Sequence, residues 1–348
     1  MNILIIGNGF DIAHNLPTQY RQFLNMCSSV QKIAVKWEGD IPKVREGARN
    51  RKNVQLFCNH IGKKLYLDFK NMVHDNFWIS HFKSRQQIIG DKWLNFEKEI
   101  KMVLQTANSE CRDGDDIIIQ VKNKEIKDFC EHKGLLNGKH VFRELFDELL
   151  IEHEKLLRAL EIYLDGYVNQ ISIKEIPYIS NKKIDKVLSF NYTNTFSRCY
   201  DPSLTPCFVH GKADKQWKTT NCNLVLGFDD HYVKDTSIIP ELIPFQKYYQ
   251  RIVKSTDTNY YEWINDYPTM ESDHIYFYGH SMDPEDGDIL RRFILNKHTK
   301  IIIYYYNDRD RAEKIKNLAI VLGPDNLIEL TGGTAPKIRF ESDNNSSD

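Results

Sequence analysis

Apolar positions along the chain form short dense runs near both ends and longer helically spaced stretches between them. Asn2–Ile6 is a run of mostly β-branched residues, the pattern of a buried strand. It breaks at Gly7-Asn8-Gly9, and Phe10–His14 then reads as the start of a helix with Asp11 as its cap. Thr18–Leu24 reads as a second short helix, with Tyr20, Phe23 and Leu24 at helical spacing. Residues 30–52 are polar and end in a basic cluster (Lys43, Arg45, Arg49, Arg51, Lys52), which reads as a solvated loop or helix face. From 54 to 105 the apolar residues recur with helical period, and Trp93, Phe96 and Glu97 share one helix face. Residues 108–116 and 131–139 are charged and turn-like, and Val141–Tyr167 reads as one long amphipathic helix.

Strand character returns at Lys186–Phe190, Pro206–Val209 and Asn223–Gly227. Phe245–Lys254 reads as a helix, His274–Tyr278 as a buried strand and Asp286–Asn296 as a helix. Lys300–Tyr306 follows as a strand, Asp308–Leu322 as a helix and Asn326–Leu330 as a last short strand. Strands alternating with helices predict an α/β fold with a doubly wound, mostly parallel sheet. Its domain is expected over 1–30 and 176–340, with a mainly helical insertion over 31–175 and a polar, disordered tail over 341–348. A Rossmann unit places a second strand ending in an acidic residue about twenty residues past the first turn. Nothing of that kind stands there.

Composition narrows the class without choosing a function. Of 348 residues 41% are hydrophobic and 27% charged, and Lys plus Arg (47) nearly balance Asp plus Glu (48). That balance offers no nucleic-acid surface. No apolar run approaches the roughly eighteen residues of a membrane span, and Ile3–Ile6 is too short for the core of a signal peptide. The seven cysteines (27, 58, 111, 130, 199, 207, 222) contain no C-x-x-C pair. They read as reduced thiols of a cytoplasmic protein without a zinc knuckle or other metal centre.

Candidate chemistry lies at the strand ends. Four polar clusters each follow an apolar run: Gly7-Asn8-Gly9-Phe10-Asp11, Asn191-Tyr192-Thr193, His210-Gly211, and Gly279-His280-Ser281 with Asp283, Asp286 and Asp288 beyond it. In a parallel sheet the carboxyl ends of the strands share one edge, where ligands bind, so these clusters are expected to converge. A strand, a glycine turn and a helix N-terminus present amides to a phosphate. Asn191 can hold a ribose or a water, His210 is a natural general base, and Ser281 with the following acids can hold ribose hydroxyls. Glu97, beside two aromatic residues, is a further candidate carboxylate. A rival reading takes Gly279-His280-Ser281-Met282-Asp283 as the start of a nucleophile elbow, but the fifth position lacks glycine, and only His298 follows Ser281.

The stretches GNGFDIAHNLPTQY, WLNFE, SFNYTNTF, VHGK, FQKYYQR and YGHSMDPED resemble the bacteriophage abortive infection AbiH family over most of the chain. At a deeper level, the order Gly-x-Gly, Asn-Tyr, His-Gly and Gly-x-Ser with a following Asp resembles sirtuin-like NAD-binding domains, including NAD-cleaving ones. That resemblance implies NAD as substrate or ligand. Asn191 would lie beside the nicotinamide ribose, His210 would act on a ribose hydroxyl or water, and Gly7 and Gly9 would line the pyrophosphate. Asp11 stands where such domains carry Ser, and no paired-cysteine zinc module is present, so the resemblance implies hydrolysis or binding and not deacetylation. The expected protein is an antiphage defence factor with a nucleotide ligand and a phage-derived trigger. The helical insertion would then serve as lid, homo-oligomer contact or sensor. The alternative is a non-catalytic nucleotide-sensing module.

Overall fold

The computed structural model describes residues 1–45, 47, 50–90, 95–111, 121–135, 141–214, 222–229, 239–265, 274–296 and 299–343. Its strands are β1 (Ile3–Ile6), β2 (Val35–Glu38), β3 (Ile41–Val44), β4 (Lys186–Ser189), β5 (Cys207–Phe208), β6 (His274–Tyr278), β7 (Lys300–Tyr305) and β8 (Ile338–Ser342). Its α-helices are α1 (Asn8–Ala13), α2 (Tyr20–Lys32), α3 (Arg51–Val73), α4 (Phe77–Ile89), α5 (Phe96–Cys111), α6 (Lys124–Lys133), α7 (Val141–Gly166), α8 (Pro177–Ser180), α9 (Thr195–Cys199), α10 (Lys247–Val253), α11 (Tyr260–Asn265), α12 (Gly287–Ile294), α13 (Asp308–Leu322) and α14 (Pro324–Thr331). Two compact units result. The first comprises Met1–Thr18, Ile171–Ala213 and Ser255–Asp348, and the second Gln19–Gln170 and Asp214–Lys254. The helical unit thus begins earlier than residue 31 and also takes up 214–254.

The first unit is built on a six-stranded, all-parallel sheet ordered β5-β4-β1-β6-β7-β8. Side chains alternate between its faces. Ile3, Ile5, Ile275, Phe277, Ile301 and Ile303 face one way, against residues such as Leu290, Phe293 and Leu318 of α12 and α13. Leu4, Ile6, Val187, Tyr276, Tyr278 and Tyr304 face the other, against Phe10, Ile179 and Phe196 from α1, α8 and α9. Burial on both faces explains why these strands read as unbroken apolar runs. The strand that sequence spacing failed to find near residue 30 is β4, which pairs with β1 from Ile3↔Lys186 to Ile6↔Ser189. Gln19–Gln170 of the second unit stands between the two in sequence.

Three expected elements take other forms. Asn326–Leu330 lies within helix α14, where Pro324 occupies the first turn after Gly323 and Leu327 is the buried residue. Pro is suited to that position because its missing N–H has no helical partner there. The last strand is β8, so Glu341 and Ser342 belong to the sheet and not to a disordered tail, and the Asp343 N–H donates to Tyr305 O. Its mixed burial and charged Arg339 suit an edge strand. Asn223–Gly227 forms no strand although Leu224, Val225 and Leu226 are fully buried. Instead the Gln250 side chain bonds both the N–H and the C=O of Leu226, each at 3.1 Å.

In the second unit the polar stretch before residue 52 forms a β2–β3 hairpin, turning at Gly39-Asp40 with Gly39 at φ 59°. Gly-Asp is a two-residue hairpin signal. Of the basic cluster, Lys43 pairs with Glu38, and Arg49 lies outside the described residues. Helices α5 and α6 extend into the segments expected as loops, to Cys111 and Lys133, and residues 112–120 and 136–140 lie outside the description. Trp93 lies outside it too. Phe96 stacks on Tyr20 and Phe82, with ring centroids 3.9 and 3.7 Å away, and Glu97 stands 3.5 Å from Tyr20 Oη. His81 on α4 ties three helices, its two ring nitrogens meeting Glu125 of α6 at 2.6 Å and Glu99 of α5 at 3.1 Å.

His153 of α7 is fully buried between Trp78 and Phe245. Burial, reinforced by the Lys254 charge, pushes its imidazole down to about 3. The folded state therefore binds this proton less readily than the unfolded chain, whose histidines titrate near 6.5. The stability tied to neutral His153 is whole above that value and is lost as pH falls toward about 3. From pH 7 to 5 the loss is about 2 kcal/mol. Chemical unfolding at the two pH values should show this loss, and His153→Gln should remove most of it. An equal acid loss in the variant would refute the assignment.

Candidate functional site

The end of β1 is fastened to the end of β6 by backbone alone. Gly9 N–H donates to Gly279 O at 2.8 Å, Phe10 N–H to Gly7 O at 2.9 Å and Gly7 N–H to Tyr278 O at 3.2 Å. A Cβ on Gly9 would lie 2.7 Å from Gly279 Cα, and one on Gly279, which sits at φ +65°, would lie 2.1 Å from Phe10 N. The glycines of the turn are therefore required by the approach of the two strand ends. This changes the phosphate cradle read from the sequence, because the Gly9 and Phe10 amides are taken by the protein itself. Asp11 is not the helix cap either. Gly7 holds that position, and Asp11 is the fourth residue of α1.

Asp11 is 1% exposed, and Thr193, which follows β4, donates to its Oδ2 at 2.5 Å. Thr195 Oγ1 donates in turn to Thr193 Oγ1 at 3.2 Å, while Asp11 Oδ1 is buried without a hydrogen-bond partner. Burial raises the carboxyl to about 6, against the opposing pull of Thr193, Thr195, Asn191 and the Arg198 charge. Asn191 is buried, and its amide donates to Gly7 O at 2.9 Å, tying the end of β4 to the glycine turn.

A second buried cluster lies at the ends of β5 and β6. His210 Nε2 stands 3.4 Å from Asp286 Oδ1, and His280 Nε2 stands 3.4 Å from Asp286 Oδ2. These are ion-pair distances, longer than ordinary hydrogen bonds. The Phe190 ring packs edge-on against both histidines, with centroids 5.4 Å from His210 and 4.3 Å from His280. Asp286, expected as a ribose contact, thus lies between two imidazoles.

The remaining expected residues take varied positions. Phe10 is fully buried, with its ring among His14, Tyr200 and Tyr278, so it is a core residue. Asn8 accepts from Thr18 Oγ1 at 2.6 Å. Tyr192 O accepts the Ala213 N–H at 2.8 Å, and Gly211, at φ +81°, donates to Phe208 O. Ser281 is exposed and its carbonyl accepts the Asn317 amide at 3.0 Å; His298, its sequence-suggested partner, lies outside the described residues. Sequence reasoning missed the pair His14–Tyr200. Nδ1 of His14 donates to Phe10 O and Nε2 accepts from Tyr200 Oη, both at 2.7 Å, and burial lowers its pKa. The spacing of His14 four residues after Phe10 was the available signal. Among the described residues no group of three or more His, Cys, Asp or Glu is arranged to hold a metal ion, and no helix is long and apolar enough to cross a membrane.

The buried Asp11 carboxyl has a measurable consequence. With its folded value raised to about 6 above the ordinary 3.8, its contribution is whole below 3.8 and is lost as pH rises through 6. Asp11→Asn should therefore gain stability relative to the native chain by about 2 kcal/mol between pH 4 and pH 8. Thermal or chemical unfolding at those two values measures the difference, and a pH-independent difference would contradict the burial argument.

The model of the family described as "Bacteriophage abortive infection AbiH" matches residues 3–307, which include both strand-end clusters. No curated protein and no solved structure matches the chain significantly. With most of its length covered by that match, the chain belongs to the bacteriophage abortive infection AbiH family.

Proposed function

We propose that this AbiH protein serves antiphage defence through a nucleotide site at the carboxyl edge of its parallel sheet, where it binds NAD or a related nucleotide and hydrolyses the nicotinamide–ribose bond. The observation that carries the reading is the meeting of polar groups from the ends of β1, β4, β5 and β6 within one unit. Numbered within the sheet, the strands run 3-2-1-4-5-6, and their order reverses between β1 and β6. Dinucleotide-binding sheets share that order and hold their ligands at the reversal. The order of the short motifs resembles sirtuin-like NAD-binding domains and supports the same choice of ligand.

The residues suit a ribose better than a phosphate. Asp11 Oδ1 offers an unused acceptor beside the Asn191 amide and the Thr193 hydroxyl, which bond Gly7 O and Asp11 in this structure, and the Gly7, Gly9 and Phe10 amides are already paired. The second strand of the sheet leads into Asn191 and not into the acidic residue of a nicotinamide-dependent oxidoreductase, which disfavours hydride transfer. In the proposed reaction the bond from ribose to nicotinamide breaks with an oxocarbenium-like carbon. Water adds to that carbon, and His210 takes the proton that the water loses. Asn191 orients the ribose or the water. The paired turn amides favour a second reading, a non-catalytic nucleotide sensor.

Purified protein incubated with NAD, alone and with phage lysate, should release nicotinamide. His210→Ala should lower the rate by about 10²–10⁴-fold with its melting temperature preserved. Binding without release would favour the sensor, and neither binding by calorimetry nor release under any of these conditions would overturn the reading.

A further inference from the structure

The buried histidine pair extends the role assigned to His210 and rests on it as the base. Asp286 closes the short 3-10 turn Pro284–Asp286 and immediately precedes α12, so its backbone is held at a helix start. Its two oxygens address two different rings, His210 Nε2 and His280 Nε2, at 3.4 Å each. The other ring nitrogen of His280 is already engaged, because Met282 N–H donates to His280 Nδ1 at 2.9 Å. A nitrogen that accepts carries the lone pair, so neutral His280 bears its proton on Nε2, the nitrogen that faces Asp286.

The backbone enforces this arrangement. Gly279 at φ +65° and Met282 at φ +57° bend the chain between them. Met282 is a fully buried non-glycine residue in the left-handed region, a conformation that persists only where its surroundings hold it. The Phe190 ring packs on both imidazoles and limits their rotation. Among the described residues, Asp286 from the turn before α12 and His280 from the end of β6 are titratable groups in this cluster with His210, and Phe190 from the end of β4 is its uncharged neighbour.

We propose that Asp286 is a positioning residue for His210, and that His280 is a locked donor that fixes the Asp286 carboxylate between the two rings. When His210 takes a proton, the resulting imidazolium faces a carboxylate already in place. A carboxylate in this relation orients a base and stabilises its charged form. Distances of 3.4 Å suit a resting state, since such contacts tighten once the base is charged.

The test is read first without any nucleotide. Histidine-selective ¹⁵N labelling, with assignment by His210→Gln and His280→Gln, reports ring tautomers and titration midpoints. His280 should appear as the Nε2–H tautomer at pH 8. In Asp286→Asn the midpoint of His210 should fall by about one pH unit, because an opposite charge within 4–6 Å is removed. If Asp286→Asn does not fold, His280→Gln serves, since freeing the carboxylate should also move the His210 midpoint. An unchanged His210 midpoint in the folded variant, or an Nδ1–H tautomer for His280, would overturn the proposal whether or not NAD is cleaved. Where nicotinamide release is measured, Asp286→Asn should shift the acidic limb of its pH profile downward by the same amount and affect kcat more than KM. The expected NMR result with neither NAD binding nor nicotinamide release would leave the positioning intact and refute the NAD reading alone.

Discussion

The contact between the Gly7–Gly9 turn and Gly279 is the constraint on which the rest of the sheet edge depends. Two neighbouring parallel strands end there, one entering α1 at once and the other bending toward α12. Both need the same space, and the Gly9 N–H bonded to Gly279 O leaves no room for a side chain on either residue. Amides spent on this fastening cannot bind a ligand. Gly7 O takes the Asn191 amide, bringing in β4. On the β6 side His280 reaches Asp286, and Asp286 reaches His210 beyond β5. Four strand ends are thus joined by a backbone bond, one amide and one shared carboxylate.

This edge is costly to keep folded. Asp11, Asn191, Thr193, His210, His280 and Asp286 are all buried, where apolar residues of similar volume would impose no desolvation penalty. Asp11 shows the imbalance most plainly: three side-chain neighbours and a nearby guanidinium fail to offset its burial, and one oxygen is left without a partner. The apolar layers on both faces of the sheet supply the stability that tolerates such a group. Buried polar groups held against their own solvation concentrate where chemistry or recognition occurs.

Where burial is continuous on both faces, the sequence announced the structure. β1, β6 and β7 are apolar runs and are found where those runs stand, and α7 and α13 follow helical periods that hold for four turns or more. Legibility failed where tertiary contacts replace local pattern. Leu224–Leu226 looks like a strand because it is buried, yet its backbone is satisfied by the Gln250 side chain. β8 looks like a tail because an edge strand needs only one partner, and α14 was hidden because its apolar residues mimic a short strand. In the site, the strand-end positions of Asn191, His210 and His280 were readable from the residues that precede them. Which of these side chains meet was not, since a sequence carries no sign that Asp286 turns toward two histidines and not toward solvent.

The long separation of β1 from β4 also bears on the proposed chemistry. In a compact dinucleotide fold the second strand follows the first helix closely and ends in an acid that grips a ribose. Here the neighbour of β1 begins at Lys186, and the corresponding end offers Asn191 and Thr193. An amide and a hydroxyl add no negative charge there, whereas a second carboxylate beside Asp11 would raise the cost of ionising both. The proposed hydrolysis, in which positive charge develops on a sugar and a water loses a proton, draws on Asp11 Oδ1 on one flank and on His210 facing Asp286 on the other. The order of strands is shared with redox folds, and the proposed reaction differs from theirs in the residues set upon that order.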